Sequence, residues 1–191
     1  MAGKQAKLLT DGQVANCLAL AIEGRHGERN RVMVLLSAKA GLRAGEIAAL
    51  TWAMVTNSSA RVGQTIALED RVAKKGSGRT IPIHPDLRLA LRELKRTSHG
   101  DGPIILSERG GAMSAGAVVN WFAELYRTLG FAGCSSHSGR RTFITNAARR
   151  VHRAGGSLRD VQELAGHRSI SMTQRYIEGD TDAKRRLIAL I

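Results

Sequence analysis

A stretch of extended-chain sequence interrupts an otherwise helical pattern, and it constrains the fold more than any other feature. Between Trp52 and Ile83, β-branched residues alternate with Gly and Ser in the short pieces MVTN, QTIALED and RTIPI, a pattern typical of antiparallel strands. The segment AKKGSG before the last piece predicts a basic, Gly-rich hairpin tip. The sequence therefore predicts a small antiparallel sheet of about three strands, inserted early in a mainly α domain.

Helical periodicity and capping residues mark the segments on both sides of this stretch. A first helix is predicted from the Thr10 cap to Gly24, and a second from about Glu28 to Lys39. The centre of the second, VMVLL, is apolar on every side and predicts a deeply buried helix. Further helices are predicted just after Arg43 and from Pro85, Ser114, His137, Ser157 and either Ser169 or Ser171, the last of them carrying Tyr176.

The charge of the chain is strongly positive. It has 29 Lys and Arg against 16 Asp and Glu, which gives a net charge of +13 and an isoelectric point near 11.0. Because 43% of the 191 residues are hydrophobic, the chain can bury a core, which excludes a disordered polyelectrolyte. A folded body with more charge than solubility requires favours a polyanionic partner, most often nucleic acid.

Cysteine usage and hydropathy predict an intracellular, cytoplasmic protein without a resident metal. Cys17 and Cys134 are far apart in sequence and match no metal or redox spacing, which is typical of reduced thiols. The N-terminus has no apolar signal region, and no run approaches the ~18 apolar residues of a membrane span. Histidines without metal-ligand spacing are His26, His84, His99 and His152.

The C-terminal part of the chain gathers side chains suited to chemistry on a phosphate. HSGRRTF places His137 three residues before Arg140, and AGHRSISMTQRY places His167 nine residues before Tyr176. Displacement at phosphorus gathers negative charge on the non-bridging oxygens, which a permanently charged guanidinium can bind in fixed geometry. Arg140 lies about one helical turn after His137 and shares its face, while Arg141 stays open as a second contact.

Four segments, GLRAGEIAALTW, KKGSGRTIPI, HSGRRTF and AGHRSISMTQRY, resemble the motifs of the tyrosine recombinases, the phage-integrase family, in order and spacing. Each motif is weak alone, but the ordered set spans residues 41–176. The resemblance implies an α+β catalytic domain, mainly α with a small antiparallel sheet, of a site-specific recombinase or integrase. Such an enzyme cleaves DNA through a covalent 3′-phosphotyrosine, releases a 5′ hydroxyl and rejoins strands in the reverse step, without metal or cofactor.

The resemblance implies a catalytic set drawn from all four motifs, namely Arg43, Lys74, His137, Arg140, His167 and Tyr176. Tyr176 would be the nucleophile, the arginines would bind the phosphate, and the histidines would hydrogen-bond it or carry protons. A hairpin lysine would protonate the leaving 5′ oxygen. Counting back from RTIPI places this lysine at Lys74, with Lys75 as the alternative.

Competing explanations remain for most of these residues. Each histidine could instead be a structural capping or packing residue, and the hairpin lysine a solvated charge or a simple phosphate contact. Arg43 is three residues before Glu46, so a structural ion pair is the alternative, although Glu46 can also orient a phosphate-binding guanidinium. Tyr176 could be a surface tyrosine without a role. The only other tyrosine, Tyr126, lies beside core-forming aromatics in NWFAELYRTL, which favours Tyr176 as the reactive one.

We expect double-stranded DNA as the partner, bound by a homo-tetramer, with a monomeric free state left open. Basic residues expected to contact the DNA backbone are Lys75, Arg79, Arg141, Arg149, Arg150, Arg168 and Arg175. The amphipathic tail formed by the last eleven residues would pack on its own core or dock on a neighbouring protomer. The protein would act in the cytoplasm, on bacterial, phage or mobile-element DNA.

The chain departs from the family pattern at three supporting positions and in length. Gly139 stands where a leucine is usual, Arg141 where a histidine is usual, and Ala165 replaces the leucine before Gly-His. Most relatives carry a separate N-terminal DNA-clamping domain, whereas here the first motif begins at residue 41. We expect a flexible basic arm over residues 1–8 and a single catalytic domain over residues 9–191 without a clamp domain. This resembles the short recombinases, or a catalytic domain cut from a longer protein.

Other functions fit part of the pattern. A regulatory protein on the same fold would bind DNA without cleaving it, but the full set of site residues argues against this. An RNA-binding basic protein would explain the charge and not the ordered motifs. A topoisomerase-like relaxing activity would use the same site chemistry, and the sequence leaves it open.

Overall fold

The computed structural model describes residues 6–73, 76–98 and 101–176, and residues 185, 188 and 189 near the C-terminus. Within these ranges the chain forms eight α-helices, two 3₁₀ helices and a two-stranded antiparallel sheet. In chain order the elements are α1 (Asp11–Glu23), α2 (Gly27–Ala40), α3 (Ala44–Ala49), a 3₁₀ helix (Trp52–Met54), β1 (Thr65–Leu68), β2 (Arg79–Pro82), α4 (Pro85–Thr97), α5 (Ala115–Thr128), α6 (Ser138–Arg150), a second 3₁₀ helix (Val151–Ala154), α7 (Leu158–Ala165) and α8 (Ile170–Gln174). The predicted fold class, mainly α with a small sheet, is confirmed. None of the helices in the described ranges is long and apolar enough to cross a membrane.

The sheet has two strands where about three were predicted. β1 and β2 pair antiparallel, with buried Ile66 opposite buried Ile81. The piece MVTN instead ends the first 3₁₀ helix and then forms a single bridge, from Thr56 to Val62. The hydroxyl and backbone N–H of Thr56 both donate to the Trp52 carbonyl, at 2.9 and 3.0 Å, so this segment curls locally instead of pairing along a strand.

α2 is the centre of the larger core and packs against α1, α3, α4 and α6. Its apolar segment, residues 32–36, is fully buried, as predicted. The helix ends at Gly41, whose left-handed backbone (φ 66°) lets its N–H bond the Leu36 carbonyl. A Cβ at Gly41 would also lie 2.4 Å from the Phe143 ring, so glycine is required for α6 to approach this closely.

A second, smaller core lies between α6 and α7. Its buried members are Ile144 and Ala148 of α6, Val151 of the second 3₁₀ helix, and Val161 and Ala165 of α7. Tyr176 packs against this cluster from outside. The predicted capping box of α7 is present, because Asp160 accepts a 2.7 Å hydrogen bond from the Ser157 backbone N–H.

The N-terminal residues that the structure describes are joined to the later helices. The Lys7 N–H donates to the Gly133 carbonyl at 3.1 Å, and the Leu9 N–H donates to Thr142 Oγ1 at 2.8 Å. Arg141 donates to the Ala6 carbonyl. The first five residues of the predicted arm, most of the predicted tail, and both hairpin lysines lie outside the described residues.

Candidate active site

Arg43 stands at the N-cap of α3, where an extended backbone (φ −76°, ψ 156°) leads the chain into the helix. Glu46 bonds back to it: Oε2 accepts from the Arg43 backbone N–H at 2.9 Å, and Oε1 accepts from Nη1 at 2.7 Å. The ion pair expected from the sequence is therefore present. The Arg43 side chain still keeps 21% of its surface exposed, so it also faces the open side of the site.

Glu46 is shared with a second arginine, Arg79, at the start of β2. Arg79 Nη1 and Nη2 donate to Oε1 and Oε2 of Glu46 at 3.1 and 3.0 Å, and its Nε donates to the Leu164 carbonyl at 2.9 Å. The side chain is only 6% exposed, so this guanidinium faces protein, whereas the sequence predicted a DNA contact. Burial alone would raise the pKa of Glu46, but hydrogen bonds and charges from Arg79 and Arg43 lower it to about 2.

Arg140, in the first turn of α6, is buried and joins two helix ends. Its Nη1 donates to the Gly41 carbonyl at 2.5 Å, and its Nη2 donates to the Ala165 carbonyl at 2.6 Å. Both carbonyls lie at C-terminal helix ends, where the helix dipole places partial negative charge. Burial and the nearby charge of Arg43 lower the pKa of Arg140 to about 10, so the guanidinium remains protonated at neutral pH.

His167 follows Gly166, which ends α7 in the left-handed conformation (φ 60°). Its backbone is held on both sides by Gln162: the His167 N–H donates to the Gln162 carbonyl, and Gln162 Nε2 donates to the His167 carbonyl, each at 3.0 Å. The buried ring is hydrogen-bonded through Nδ1 to Thr173 Oγ1 at 3.0 Å. Burial, and then the charge of Arg140, lower the pKa of His167 to about 4, so the imidazole is neutral at neutral pH.

Tyr176 lies against His167, with ring centroids 5.5 Å apart and planes inclined by 24°. The sequence predicted that a helix carries Tyr176, but α8 ends at Gln174, and the tyrosine stands in the following turn. There its N–H donates to the Thr173 carbonyl at 3.0 Å. The half-buried ring of Tyr176 thus has a fixed backbone and a stacking partner. Of the two serines predicted to cap α8, Ser169 is the N-cap.

Tyr126 has a different environment. It is buried between Phe122 and Phe131, with ring centroids 6.0 and 6.5 Å away. Burial raises its pKa above the ordinary value, so this phenol is held neutral and unreactive. The prediction that Tyr126 is a core aromatic is confirmed.

The cluster carries more positive than negative charge. The guanidinium groups of Arg43, Arg79 and Arg140 lie around the carboxylate of Glu46, and the hydrogen bonds of Arg140 go to uncharged carbonyls. A buried positive charge without an opposite partner is unfavourable. The site is therefore suited to an anion with several oxygen acceptors, such as a phosphodiester.

The other predicted site residues lie around this cluster or outside the described residues. His137 is exposed and forms the N-cap of α6, one turn before buried Arg140. Arg141 is half-buried. Exposed arginines from the predicted DNA-contacting set are Arg149, Arg150, Arg168 and Arg175. Lys74 and Lys75 are not among the described residues.

An open groove of about 480 Å³ lies beside the cluster. One wall is residues 77–80, which lead into β2, and the other contains Gln162, Glu163 and residues 166–168. His167 and Arg79 therefore border the same space. Within the described parts of the chain, no three His, Cys, Asp or Glu side chains are grouped so that they could hold a metal ion.

Four supporting contacts were not anticipated from the sequence. Two are the hydrogen bonds that Thr173 and Gln162 make to His167, and two are the bonds of Arg79 to Glu46 and to Leu164. Thr173 lies six residues after His167 across a turn, a spacing with no periodic signal. Capping rules could have suggested the contact of His167 with Gln162. Gln162 lies five residues before His167, near the end of a helix that Gly166 closes.

The comparisons with known proteins agree with this arrangement. The model of the phage integrase family matches residues 7–182. The tyrosine recombinase XerC of Xanthomonas axonopodis pv. citri (strain 306) is 30% identical over 181 residues, which cover 93% of this chain and 55% of that protein. XerC of Xylella fastidiosa (strain 9a5c) is 30% identical over 181 residues, covering 93% and 58%. The chain thus spans somewhat over half the length of these curated relatives.

Solved structures share the fold. A crystal structure of XerA recombinase superposes with a TM-score of 0.76 at 21% identity, covering 96% of this chain and 64% of that one. A lambda integrase dimer bound to a COC′ core site gives a TM-score of 0.68 at 23% identity, covering 91% and 49%. These likenesses establish the architecture of the described chain.

Proposed function

Because the chain belongs to the phage integrase family, we propose that it is the catalytic domain of a site-specific DNA recombinase. The phenol oxygen of Tyr176 attacks a backbone phosphorus, forms a 3′-phosphotyrosine ester and releases a 5′-hydroxyl strand. A 5′ hydroxyl of a second strand then attacks that ester and regenerates the tyrosine. One phosphate ester replaces another in each step, so the reaction consumes no high-energy cofactor.

The observation that carries the proposal is the stacking of Tyr176 on His167 beside buried Arg140. The ring centroids are 5.5 Å apart, and Arg140 is near enough that its charge depresses the pKa of His167. A phenol beside buried positive charge is suited to nucleophilic attack on an anionic phosphodiester, because the cluster favours the negative charge that develops on the phosphate.

Arg43 and Arg140 are proposed to bind the two non-bridging oxygens. A guanidinium has five N–H donors. The bonds to Gly41 and Ala165 occupy two donors of Arg140 and fix its plane, and Arg43 gives one side-chain donor to Glu46. Donors therefore remain on both groups for a phosphate, and the bonds already made hold them in position before substrate arrives.

The proton transfers are assigned to neutral imidazole and to a lysine. Thr173 fixes the His167 ring through Nδ1, so Nε2 is the nitrogen that would meet the phosphate or the tyrosine proton. His137, exposed one turn before Arg140, is proposed to contact the phosphate from outside. Lys74, or alternatively Lys75, is proposed to protonate the leaving 5′ oxygen.

Double-stranded DNA is the proposed substrate, acted on in the cytoplasm. The net charge of +13 supports a polyanion, and residues proposed to contact its backbone are Lys75, Arg141, Arg149, Arg150, Arg168 and Arg175. Exchange of two strand pairs needs four active sites, so we propose a homo-tetramer on DNA. Affinity should fall steeply with salt, because each phosphate contact releases counterions.

A nicked duplex tests the proposal. Fragments of DNA that flank the encoding gene, chosen for inverted repeats, are nicked so that the short 5′-hydroxyl strand diffuses away and the covalent adduct accumulates. The unchanged protein should form an adduct that survives denaturation. Tyr176→Phe should bind the same fragment without forming an adduct, and Tyr126→Phe should form it normally.

The alternatives give different outcomes in the same assay. An adduct that persists in Tyr176→Phe, or that maps to Tyr126, would remove Tyr176 from the role of nucleophile. Specific binding without any adduct would indicate a regulatory DNA-binding protein. Stronger competition by duplex RNA than by duplex DNA would indicate an RNA-binding protein.

A further inference from the structure

Arg79 connects three separate parts of the fold through one buried guanidinium. It stands at the start of β2, bonds Glu46 of α3 through Nη1 and Nη2, and bonds the Leu164 carbonyl of α7 through Nε. All three of its nitrogens therefore donate to protein. With 6% of its side chain exposed, this arginine is not placed as a surface phosphate contact.

On one side, Arg79 completes the set of bonds that orients Arg43. The Glu46 carboxylate accepts four hydrogen bonds, two from Arg43 and two from Arg79, and a carboxylate has about four acceptor positions. Each oxygen bonds both arginines. Without Arg79, the carboxylate loses half of its donors and can turn together with the Arg43 side chain.

On the other side, Arg79 lies against the backbone that carries His167. Arg79 and Arg140 donate to consecutive carbonyls, those of Leu164 and Ala165, at the end of α7. Gly166 follows, and a Cβ there would lie 2.8 Å from Arg79 Nη1. The guanidinium therefore occupies the space above Gly166, immediately before His167.

From these contacts we propose that Arg79 is a positioning residue, which sets the placement of Arg43 through Glu46 and of His167 through the end of α7 and does not contact DNA. This rests on the proposed function for its effect on catalysis. Its effect on the geometry of the site stands independently of that function. A buried arginine that aligns both a phosphate-binding group and a proton-transfer group should affect the chemical step and leave the binding of DNA unchanged.

The first experiment separates binding from chemistry. Arg79→Lys and Arg79→Gln are compared with Arg159→Gln, which removes one exposed arginine of α7 and gives the same change of net charge as Arg79→Gln. The dissociation constant, its salt dependence and the rate of adduct formation on saturating nicked duplex are measured. We expect both Arg79 variants to form adduct at least about tenfold more slowly, because small misplacements of catalytic groups carry such costs. The affinity and salt slope of Arg79→Gln should match those of Arg159→Gln, and those of Arg79→Lys should match those of the unchanged protein.

The lysine variant tests the bonding geometry, since an ammonium keeps the charge but cannot replace the planar fork. An Arg79→Lys variant with the unchanged rate would overturn the proposal. So would weaker binding with a salt slope reduced by about 1 and an unchanged rate at saturation, which is the signature of a phosphate contact.

A double-variant cycle tests the route through Glu46. If Arg79 acts on Arg43 through Glu46, the effects of the two changes on the rate of adduct formation should not multiply. Relative to the unchanged protein, the variant that combines Arg79→Gln with Glu46→Gln should lose much less rate than the product of the two single losses. Removing both charges also avoids an unpaired buried carboxylate, so the double variant should stay folded. Fully multiplicative effects would contradict this route.

A readout without catalysis keeps this test separate from that of the proposed function. Ring NMR signals of His167 are followed with pH in the unchanged protein, in Arg79→Gln and in Arg159→Gln. Loss of the nearby Arg79 charge should by itself raise the titration midpoint of His167, so the test is the chemical shifts of the neutral ring, which we expect to move only in Arg79→Gln. Unchanged shifts of the neutral ring there would overturn the positioning role. Absence of adduct in the unchanged protein would instead count against the proposed function alone.

Discussion

The imidazole of His167 stacks on the phenol of Tyr176, with ring planes inclined by 24° and centroids 5.5 Å apart. Separate local structures hold the two residues in place. The end of α7 and the Thr173 hydroxyl hold His167, while the turn after α8 holds Tyr176. Since each ring limits the motion of the other, a change that moves either backbone should be felt at both.

Stability should depend on pH through His167. Burial and nearby arginines lower its pKa from 6.5 to about 4, so the unfolded chain takes up this proton more readily than the folded one. Stability from this group is present above pH 6.5 and is lost as the pH falls toward 4, by about 3 kcal/mol in all. Denaturant unfolding across this range measures it. His167→Gln should flatten the dependence, and the exposed control His152→Gln should leave it in place.

Glu46→Gln should destabilise the protein at neutral pH by about 3 kcal/mol, because it leaves two partly buried guanidinium groups without their counter-charge. The loss should shrink as the pH falls from 4.5 toward 2, where Glu46 itself becomes protonated. Chemical unfolding at several pH values measures both effects. Glu163→Gln removes an exposed partner of Arg159 and should cost less than about 1 kcal/mol. Equal losses in the two variants would contradict the shared role of Glu46.

Gly166→Ala should be more harmful than a glycine replacement with the same backbone strain. Gly166 and Gly155 both have positive φ, 60° and 71°, but a Cβ at Gly155 meets nothing within 4 Å. Gly155→Ala should cost about 1 kcal/mol for the left-handed backbone alone. Gly166→Ala must also displace Arg79 and should cost more than about 2 kcal/mol. Thermal unfolding measures the loss of stability in each variant. Similar losses would show that the Arg79 side chain moves away from Gly166 at little cost.

Gly139 should be replaceable by a larger residue only when Ser37 is made smaller. A Cβ at Gly139 would lie 2.3 Å from Ser37 Oγ, which is buried and has no hydrogen-bond partner among the residues that the structure describes. Gly139→Ala should therefore destabilise the protein, and adding Ser37→Gly should recover much of the loss. Ser37→Ala alone should be neutral or stabilising by about 1 kcal/mol, since it removes an unsatisfied hydroxyl. Calorimetry of these three variants and the unchanged protein decides whether this contact explains why glycine stands at position 139 instead of the leucine usual in the family.

Local rules in the sequence predicted most helices and one part of the site. Thr10, Ser114 and Ser157 cap helices as expected, and Arg43 meets Glu46 because residues three apart lie close on a helical turn. Each of these contacts spans three residues or fewer. Propensity and spacing are sufficient there, since the backbone conformation alone brings the groups together.

Longer contacts were beyond such rules. Arg79 lies 33 residues from Glu46 and 85 from Leu164, so only the folded topology reveals that it is buried and not a surface contact. The strand predicted at MVTN is absent because the Thr56 hydroxyl donates back to the Trp52 carbonyl. Such a local side-chain hydrogen bond competes with strand pairing, and β-propensity does not account for it. Likewise, the end of α8 before Tyr176 is a boundary, the least certain feature of any helix prediction.

Tyr176 packs on the smaller of the two cores, whereas Arg43 and Glu46 stand on a helix anchored in the larger one. Separating α6 from α7 breaks few apolar contacts and should therefore require less free energy than unfolding the larger core around α2. The proposed nucleophile therefore belongs to a cooperative unit of lower stability than the one that holds Arg43. Amide hydrogens around residues 158–176 should exchange with solvent earlier than those of α2, so the side chain proposed to form and break the bond sits on the part of the fold that can be released first.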